Sequence, residues 1–547
     1  ASSVLLKHHS PGRLSRAIGS FLDALDTWYR KAVGWVLDHR FITVMSGVAA
    51  LFAALFLAKY IPAEFQPTMD QGELDIVYSM PEGASIASTF DRGEAIRKIV
   101  AETEPETRHV LVTVGAGQRQ KVNEGKVFVK LTGSKERKRG QAQISAQLRQ
   151  RLSQAFPGAD ISVNKAATAG DTSGEFMAKP LNIQLRADDS TLLRQAARGL
   201  VAALQKQKGF VDLSVSDKGD RPQFGFNIDR EKISEAGLAP AQVAGVIRTA
   251  INGTEVSQFK DGSERYKIVV EAPDRYREQR SAVLSLPLRG AKGSLIELGE
   301  LVRAVPEGAP AQIDREDRIR QVSVLGNLDG IALGGAQEVV TKLSKELLPK
   351  GVAMQFSGQG ELMAESFAAM VEALLLAIII IYMVLAAQFE SFLHPITIMV
   401  SLPLSLVGAL GGLLVAGQTL SIMSFIGVIM LMGLVTKNAI LLVDNANQRR
   451  EEGKSVRDAM IDAGAARLRP ILMTTAAMIF GMLPVAMALG EGSEQRAPMG
   501  VTVIGGLLTS TVLTLLVVPA IYSAMENGRI RFGQLFSSHL STIREKH

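Results

Sequence analysis

Two kinds of hydrophobic pattern divide the chain. From Phe41 to Ala58 no charged residue interrupts the apolar run, and Lys59, Tyr60 and Ile61 give it an interfacial edge. The run therefore reaches the roughly 20 residues needed to cross about 30 Å of hydrocarbon. From Pro62 to about Glu365 the composition turns ordinary and polar. Beyond it, Ala373 to Phe389 is charge-free, no formal charge appears from Ser391 to Thr436, and Pro470 to Gly490 and Ala497 to Met525 are apolar again. With three crossings fitted before Asn445, the pattern predicts six transmembrane helices.

The polar block reads as strands and helices in a repeating order. Alternation predicts a strand from Leu74 to Met80, a helix from Ile86 to Ala101 and a strand from Val110 to Val114. Val127 to Leu131, Gln141 to Phe156 and Asp160 to Val163 repeat that order, which makes a βαββαβ, ferredoxin-like unit. A second copy takes its strands from Leu181 to Arg186, Val211 to Val215, Gln321 to Leu325 and Ala353 to Phe356, with helices from Ser190 to Gln207 and Gly335 to Leu348. Pro222 to Gly308 interrupts this copy as an inserted subdomain. The fold class is an α+β membrane protein with six transmembrane helices and a large polar block of two ferredoxin-like units.

Composition agrees with that division. A mean hydropathy of +0.16 is too high for an ordinary soluble protein, while 21% charged residues is too many for one wholly inside a bilayer. No cysteine is present, so neither disulfides nor thiolate metal sites are available. The net charge of +6 is explained by bases beside the spans rather than by a nucleic-acid partner. No Gly-x-x-x-x-Gly-Lys-Ser/Thr stretch occurs, which argues against ATP as an energy source. The bases Arg449, Arg450, Lys454 and Arg457, and those of the tail, sit on one side of the predicted spans, so both chain ends are expected in the cytosol and the polar block outside it.

The candidate chemistry lies in two apolar segments. Gly433 to Asp444 carries Lys437 inside a predicted span, where a lysine costs roughly 2.5 to 3.5 kcal/mol and needs a partner or a route to the interface. Arg467 to Thr474 brings a second basic and hydroxyl-bearing entry. Snorkelling to the cytosolic interface is the plainer reading of Lys437, and positive-inside placement is the plainer reading of Arg467 and Arg469. The acidic candidates are Glu372, Glu390 and Asp444, none of them placed at mid-membrane by the pattern.

With Ala387 to Ser391 followed by Pro395, Gly433 to Ile440, and Arg467 to Thr474 in order on successive spans, the chain resembles the C-terminal half of a resistance-nodulation-division (RND) efflux transporter, of the hydrophobe and amphiphile branch. The resemblance implies a proton antiporter rather than an enzyme, without a cofactor, sited in the bacterial inner membrane. It also implies the division 1-40 (end of a truncated helix and an amphipathic surface helix), 41-61 (first span), 62-170 (first porter subdomain), 171-221 with 309-362 (second porter subdomain), 222-308 (docking subdomain), 363-525 (five spans) and 526-547 (cytosolic tail).

On this resemblance Lys437, Asn438, Arg467 and Thr474 form a proton-coupling network whose titrating aspartate pair stands on an N-terminal half missing from the chain. Substrate contacts fall on Phe128, Leu111 and Arg119, with Lys121 nearby; the scarcity of aromatic residues there points to a more polar or anionic amphiphile. Phe128, in an alternating strand, reads more simply as core. Met80 and Met177, in the first porter unit and its exit linker, are the soft-ligand candidates for a metal-exporting variant, but scattered methionines usually serve packing and no metal site is expected. The implied partners are the N-terminal half, further copies in a homotrimer, a periplasmic adaptor (membrane fusion) protein, an outer-membrane channel, the lipid bilayer and small amphiphilic substrates. A membrane-anchored binding module without a transport cycle is the alternative from another class.

Overall fold

The computed structural model describes residues 13–544 apart from 68, 116–119, 135, 167–178, 278, 292 and 491, and the backbone alone for 13–19, 21 and 530–544. Arg119 and Met177 therefore lie outside the described residues. The chain divides into two compact units, one of 80–89 with 217–315 and one of the remainder.

Helix α1 (Arg13–Asp38) is amphipathic, and its apolar stripe of Tyr29, Val33 and Leu37 is buried with Leu442, Met460, Ala463 and Val518. The Tyr29 hydroxyl donates to the Leu515 carbonyl at 3.0 Å, and Arg30 pairs with Asp462 at 3.0 Å. Helix α2 (Arg40–Leu57) follows and is the first of six segments among the described residues that are long and apolar enough to cross a membrane.

The first sheet contains β1 (Glu73–Ser79), β2 (Thr107–Val114), β3 (Glu124–Leu131) and β4 (Asp160–Lys165), in the antiparallel order β2-β3-β1-β4. Helices α3 (Ile86–Thr103) and α4 (Gln141–Ala155) complete the order βαββαβ. Because side chains alternate along a strand, Leu74, Ile76, Tyr78, Val127, Val129 and Leu131 share one face, and they are buried with Ile96, Val100, Ile144 and Leu148 of the helices. Asp70 ties the entry to this unit. It accepts from Arg137 at 2.5 Å and from the Gln141 and Gly72 N–H groups at 2.9 and 3.1 Å.

A second sheet repeats the plan. It contains β5 (Leu181–Arg186), β6 (Phe210–Val215), β11 (Ile319–Leu328) and β12 (Ala353–Phe356), with β11 paired to both β6 and β5, and β5 to β12. Helices α5 (Ser190–Leu204) and α7 (Leu333–Leu347) cover it, with Leu193, Ala197, Leu200, Ala336 and Val340 in the core. The smaller compact unit holds β7 (Asp220–Ile228) antiparallel to β10 (Val302–Pro310), helix α6 (Pro240–Asn252) and a hairpin of β8 (Thr254–Asp261) and β9 (Glu264–Val270) that is exposed almost throughout. Its core is Ile233, Val243, Val283, Leu288, Leu298 and Leu301.

The remaining spans are α8 (Gln359–Phe389), α9 (His394–Met399) continued by α10 (Ser401–Val415), α11 (Ile422–Glu451), α12 (Val456–Ala486) and α13 (Ala497–Arg544). Glycines let α10 and α13 approach backbone to backbone. A Cβ on Gly408 would run into the Gly505 carbonyl and the Thr509 hydroxyl, and one on Gly412 would lie 3.2 Å from the Val501 carbonyl.

Candidate functional site

Helix α11 is fixed at its start by Ser424, whose hydroxyl accepts from the Ser421 N–H at 2.8 Å and donates to the Ser421 carbonyl at 2.7 Å. From there its sequence splits into two faces. Val428, Leu431, Met432, Val435, Asn438, Ala439, Leu442 and Ala446 are buried inside the bundle. Met430, Gly433, Lys437 and Gln448 recur at helical spacing on an exposed stripe, and a Cβ on Gly433 would meet nothing within 4 Å.

Lys437 therefore stands on the open face, about 22 Å along the axis from Ile422 at 1.5 Å per residue. No hydrogen bond or ion pair reaches it from the described residues. Its neighbour Asn438 turns inward and is 3% exposed. Lys437 and Asn438, adjacent in the chain, thus lie in different surroundings.

On α12, Arg467 is half-buried, and its Nε is buried without a hydrogen-bond partner among the described residues. An orphaned guanidinium N–H costs free energy unless something outside the described atoms meets it. Thr474 donates to its own helix, to the Pro470 and Ile471 carbonyls at 3.1 and 3.0 Å. Arg469 pairs with Asp23 of α1. Among the described residues, no hydrogen bond or ion pair joins Lys437, Arg467 and Thr474 to one another. Of the acidic candidates, Glu372 and Glu390 are exposed, and Asp444 accepts from Gln448 at 3.1 Å.

Sequence reasoning missed a polar cluster between the last turns of α11 and the stretch 522–526 of α13. Arg450 pairs with Glu526, which is 7% exposed. The Tyr522 hydroxyl donates to Asn447 at 2.6 Å, and its ring stacks on His394 with centroids 6.0 Å apart. Asn447 and Tyr522 lie 75 residues apart on separate helices and His394 is farther still, so no spacing signal marks them.

In the first sheet, Phe128 is not part of the core. It lies on the face away from α3 and α4, beside Leu111 of β2 and Asp75 of β1, and Leu111 is 61% exposed. Lys126 pairs with Asp75 at 2.8 Å and Lys130 with Glu73 at 2.7 Å on that face, while Lys121 pairs with Glu124 at 2.8 Å. At the far edge Asp212, with φ of 51°, accepts from Arg149 at 2.9 Å, from the Val163 N–H at 3.2 Å and from Asn327 at 2.8 Å, so one carboxylate links the two sheets. No group of three or more His, Asp or Glu placed to hold a metal occurs among the described residues.

Apolar spans joined to two sheet units of the same strand order define a multi-span membrane protein with a large polar block. The chain belongs to the AcrB/AcrD/AcrF family of RND efflux transporters, whose family model matches residues 1–526. It is 30% identical over 518 residues to multidrug resistance protein MdtC of Cronobacter sakazakii, covering 94% of this chain and 50% of that protein. It is equally 30% identical over 537 residues to MdtC of Edwardsiella ictaluri, covering 96% and 51%. Two crystal forms of a heavy metal efflux pump match at 25% identity with TM-scores of 0.80 and 0.82, covering 92% of this chain and 52% of theirs. The chain thus spans about half the length of the relatives it matches.

Proposed function

We propose that this chain is the C-terminal half of a proton-driven efflux transporter that exports hydrophobic or amphiphilic compounds of the multidrug type. The observation that carries the reading is Lys437, a cation on the open face of a helix otherwise packed at the centre of the bundle. A lysine facing a carboxylate in low dielectric loses its attraction when that carboxylate takes a proton, so helix packing can follow protonation. The unpartnered Nε of Arg467 fits the same idea, with the aspartate pair supplied from the other half. Asn438 and Thr474 would position the two spans.

The strand orders support reading the two sheet units as ferredoxin-like porter subdomains on the periplasmic side, with the smaller compact unit as a docking subdomain for an outer-membrane channel. A homotrimer and a periplasmic adaptor complete the assembly. Leu111 and Phe128 offer an apolar surface flanked by the Lys126–Asp75 and Lys130–Glu73 ion pairs, suited to an amphiphile with a polar head group; Arg119, which precedes Lys121 by two positions in the sequence, lies outside the described residues.

Metal-ion export is the second reading, favoured by the heavy metal efflux pump among the solved structures of similar fold. The two separate by substrate. Cells deprived of their own exporters and supplied with the complete transporter are expected to accumulate less of an anionic detergent or a dye, with no gain in tolerance to copper, silver or zinc. The opposite pattern would transfer the assignment to metal export. Lys437→Ala should abolish both export and substrate-driven proton uptake at unchanged membrane level. Unimpaired export by that variant would sink the antiport reading and favour a scaffold without a transport cycle.

A further inference from the structure

Five residues where α2 leaves the bundle, Ile61 to Phe65, touch three parts of the structure. Ile61 is 6% exposed and packed with Leu410 and Leu413 of α10. Phe65 packs against the core of the second sheet unit, a cluster that includes Leu333 and Met363. Between them the backbone is bonded along both edges. On one edge Leu420 donates to the Pro62 carbonyl at 2.8 Å and Glu64 donates to the Leu420 carbonyl at 3.0 Å, a parallel bridge centred on Ala63. On the other, Gly334 in the first turn of α7 donates to the Ala63 carbonyl at 2.9 Å. Contact there is close: a Cβ on Gly334 would lie 3.0 Å from the Ala63 Cβ and 3.1 Å from its carbonyl oxygen.

Leu420 immediately precedes Ser421, which caps α11 and is fully buried. No flexible residue therefore separates the bridge from the helix that carries Lys437. Beyond Gly334, Ala336, Val340 and Ser344 of α7 are buried against the second sheet. Side-chain contacts can absorb a displacement by changing rotamer, but a bonded backbone can only follow or break. Burial also pushes the Glu64 carboxyl above its ordinary range, against the pull of Lys165, as expected of a residue held in a packed joint.

The geometry points to Ala63, Gly334 and Leu420 as positioning residues of transport, whose backbone junction passes displacement of the Lys437 helix to the second sheet unit as a rigid strut. This rests on the antiport reading above. The chain has no cysteine, so thiols introduced at 63 and 420 are unique within it.

Four variants of the complete transporter test the strut in cells and proteoliposomes. Leu420→Pro removes the N–H that bonds Pro62, and Gly334→Ala wedges the contact with Ala63. Export by each should fall at least about tenfold, a typical coupling factor, while proton uptake persists. Leu420→Val keeps the backbone bonds and should match wild type. The pair A63C with L420C, closed by a short bifunctional thiol reagent, should export within about twofold of the unreacted protein, because a strut has no need to shear.

Coupled export by both Leu420→Pro and Gly334→Ala at the wild-type rate overturns the proposal, as does loss of export on cross-linking. If Leu420→Pro fails to accumulate, Gly334→Ala and the cross-linked pair decide. Wild-type protein that exports without moving protons overturns the antiport reading instead, and the same ranking of variants, read on export alone, still judges the strut.

Discussion

Gly408 and Gly433 sit on neighbouring spans, and their surroundings are opposite. Gly408 of α10 meets the backbone of α13, so its missing Cβ is what permits the helices to touch. Gly433 of α11 looks into open space on the stripe that bears Lys437. One side of the bundle is closed to the density of a protein interior, and the other is left open with a cation on it. Closure by small residues explains how the spans hold together without a hydrophobic drive between helices. The open stripe leaves Lys437 without a partner among the described residues.

The sharpest test of this contrast is one substitution at both glycines. Gly408→Ala places a Cβ against backbone that cannot yield, and should destabilise the bundle by about 3 kcal/mol, the upper end of overpacking costs. A lowered thermal transition in detergent is the expected readout. Next in size is the polar cluster of Arg450, Tyr522 and Glu526 between α11 and α13. Glu526→Ala strands Arg450, and because the arginine retains some exposure the expected loss is about 2 kcal/mol, below that of a fully buried pair. Denaturation of Arg450→Ala, Glu526→Ala and the double variant should reveal a coupling between the sites.

A smaller effect belongs to the first sheet unit. Burial raises the Asp70 carboxyl, but Arg137 and the N–H groups of Gln141 and Gly72 outweigh it and hold it below its ordinary range. A depressed folded-state pKa stabilises fully above the unfolded value of about 3.9 and loses that stabilisation as pH falls through the folded value. Asp70→Asn should therefore cost about 1.5 kcal/mol at neutral pH, with the difference from wild type shrinking in acid. The smallest expected change is at the other glycine. Gly433→Ala should leave the isolated chain unchanged or stabilise it by up to about 1 kcal/mol through helix propensity. If the open stripe is a docking face for the other half, the same substitution should weaken co-purification of the two halves.

Much of this contrast was legible in the sequence only on one side. The spans declare themselves by length and apolarity, and the strands of both sheets by alternation, because those signals are local. Lys437 was conspicuous for the same reason, as a charge in an apolar run. Its exposure was not, since an i, i+4 pattern names a face without naming what covers it. Phe128 shows the limit in a strand: alternation separates it from Val127 and Val129, but only the helices of the fold reveal which face is the core. The Arg450 and Glu526 pair, and the junction of Ala63, Gly334 and Leu420, join residues far apart in the chain and depend on backbone geometry that no residue type encodes.

The way Phe65 and Met363 enter the second sheet unit bears on how relatives could exchange parts. Both residues belong to segments leading out of or into spans, yet both contribute to the hydrophobic interior of that unit. A graft cut where polarity changes would leave the transplanted sheet with a gap and the recipient with two orphaned apolar side chains. Viable hybrids should instead place their seams inside α2 and α8, carrying 61–65 and the first turns of α8 with the sheet. Recombination between homologous genes would face the same restriction.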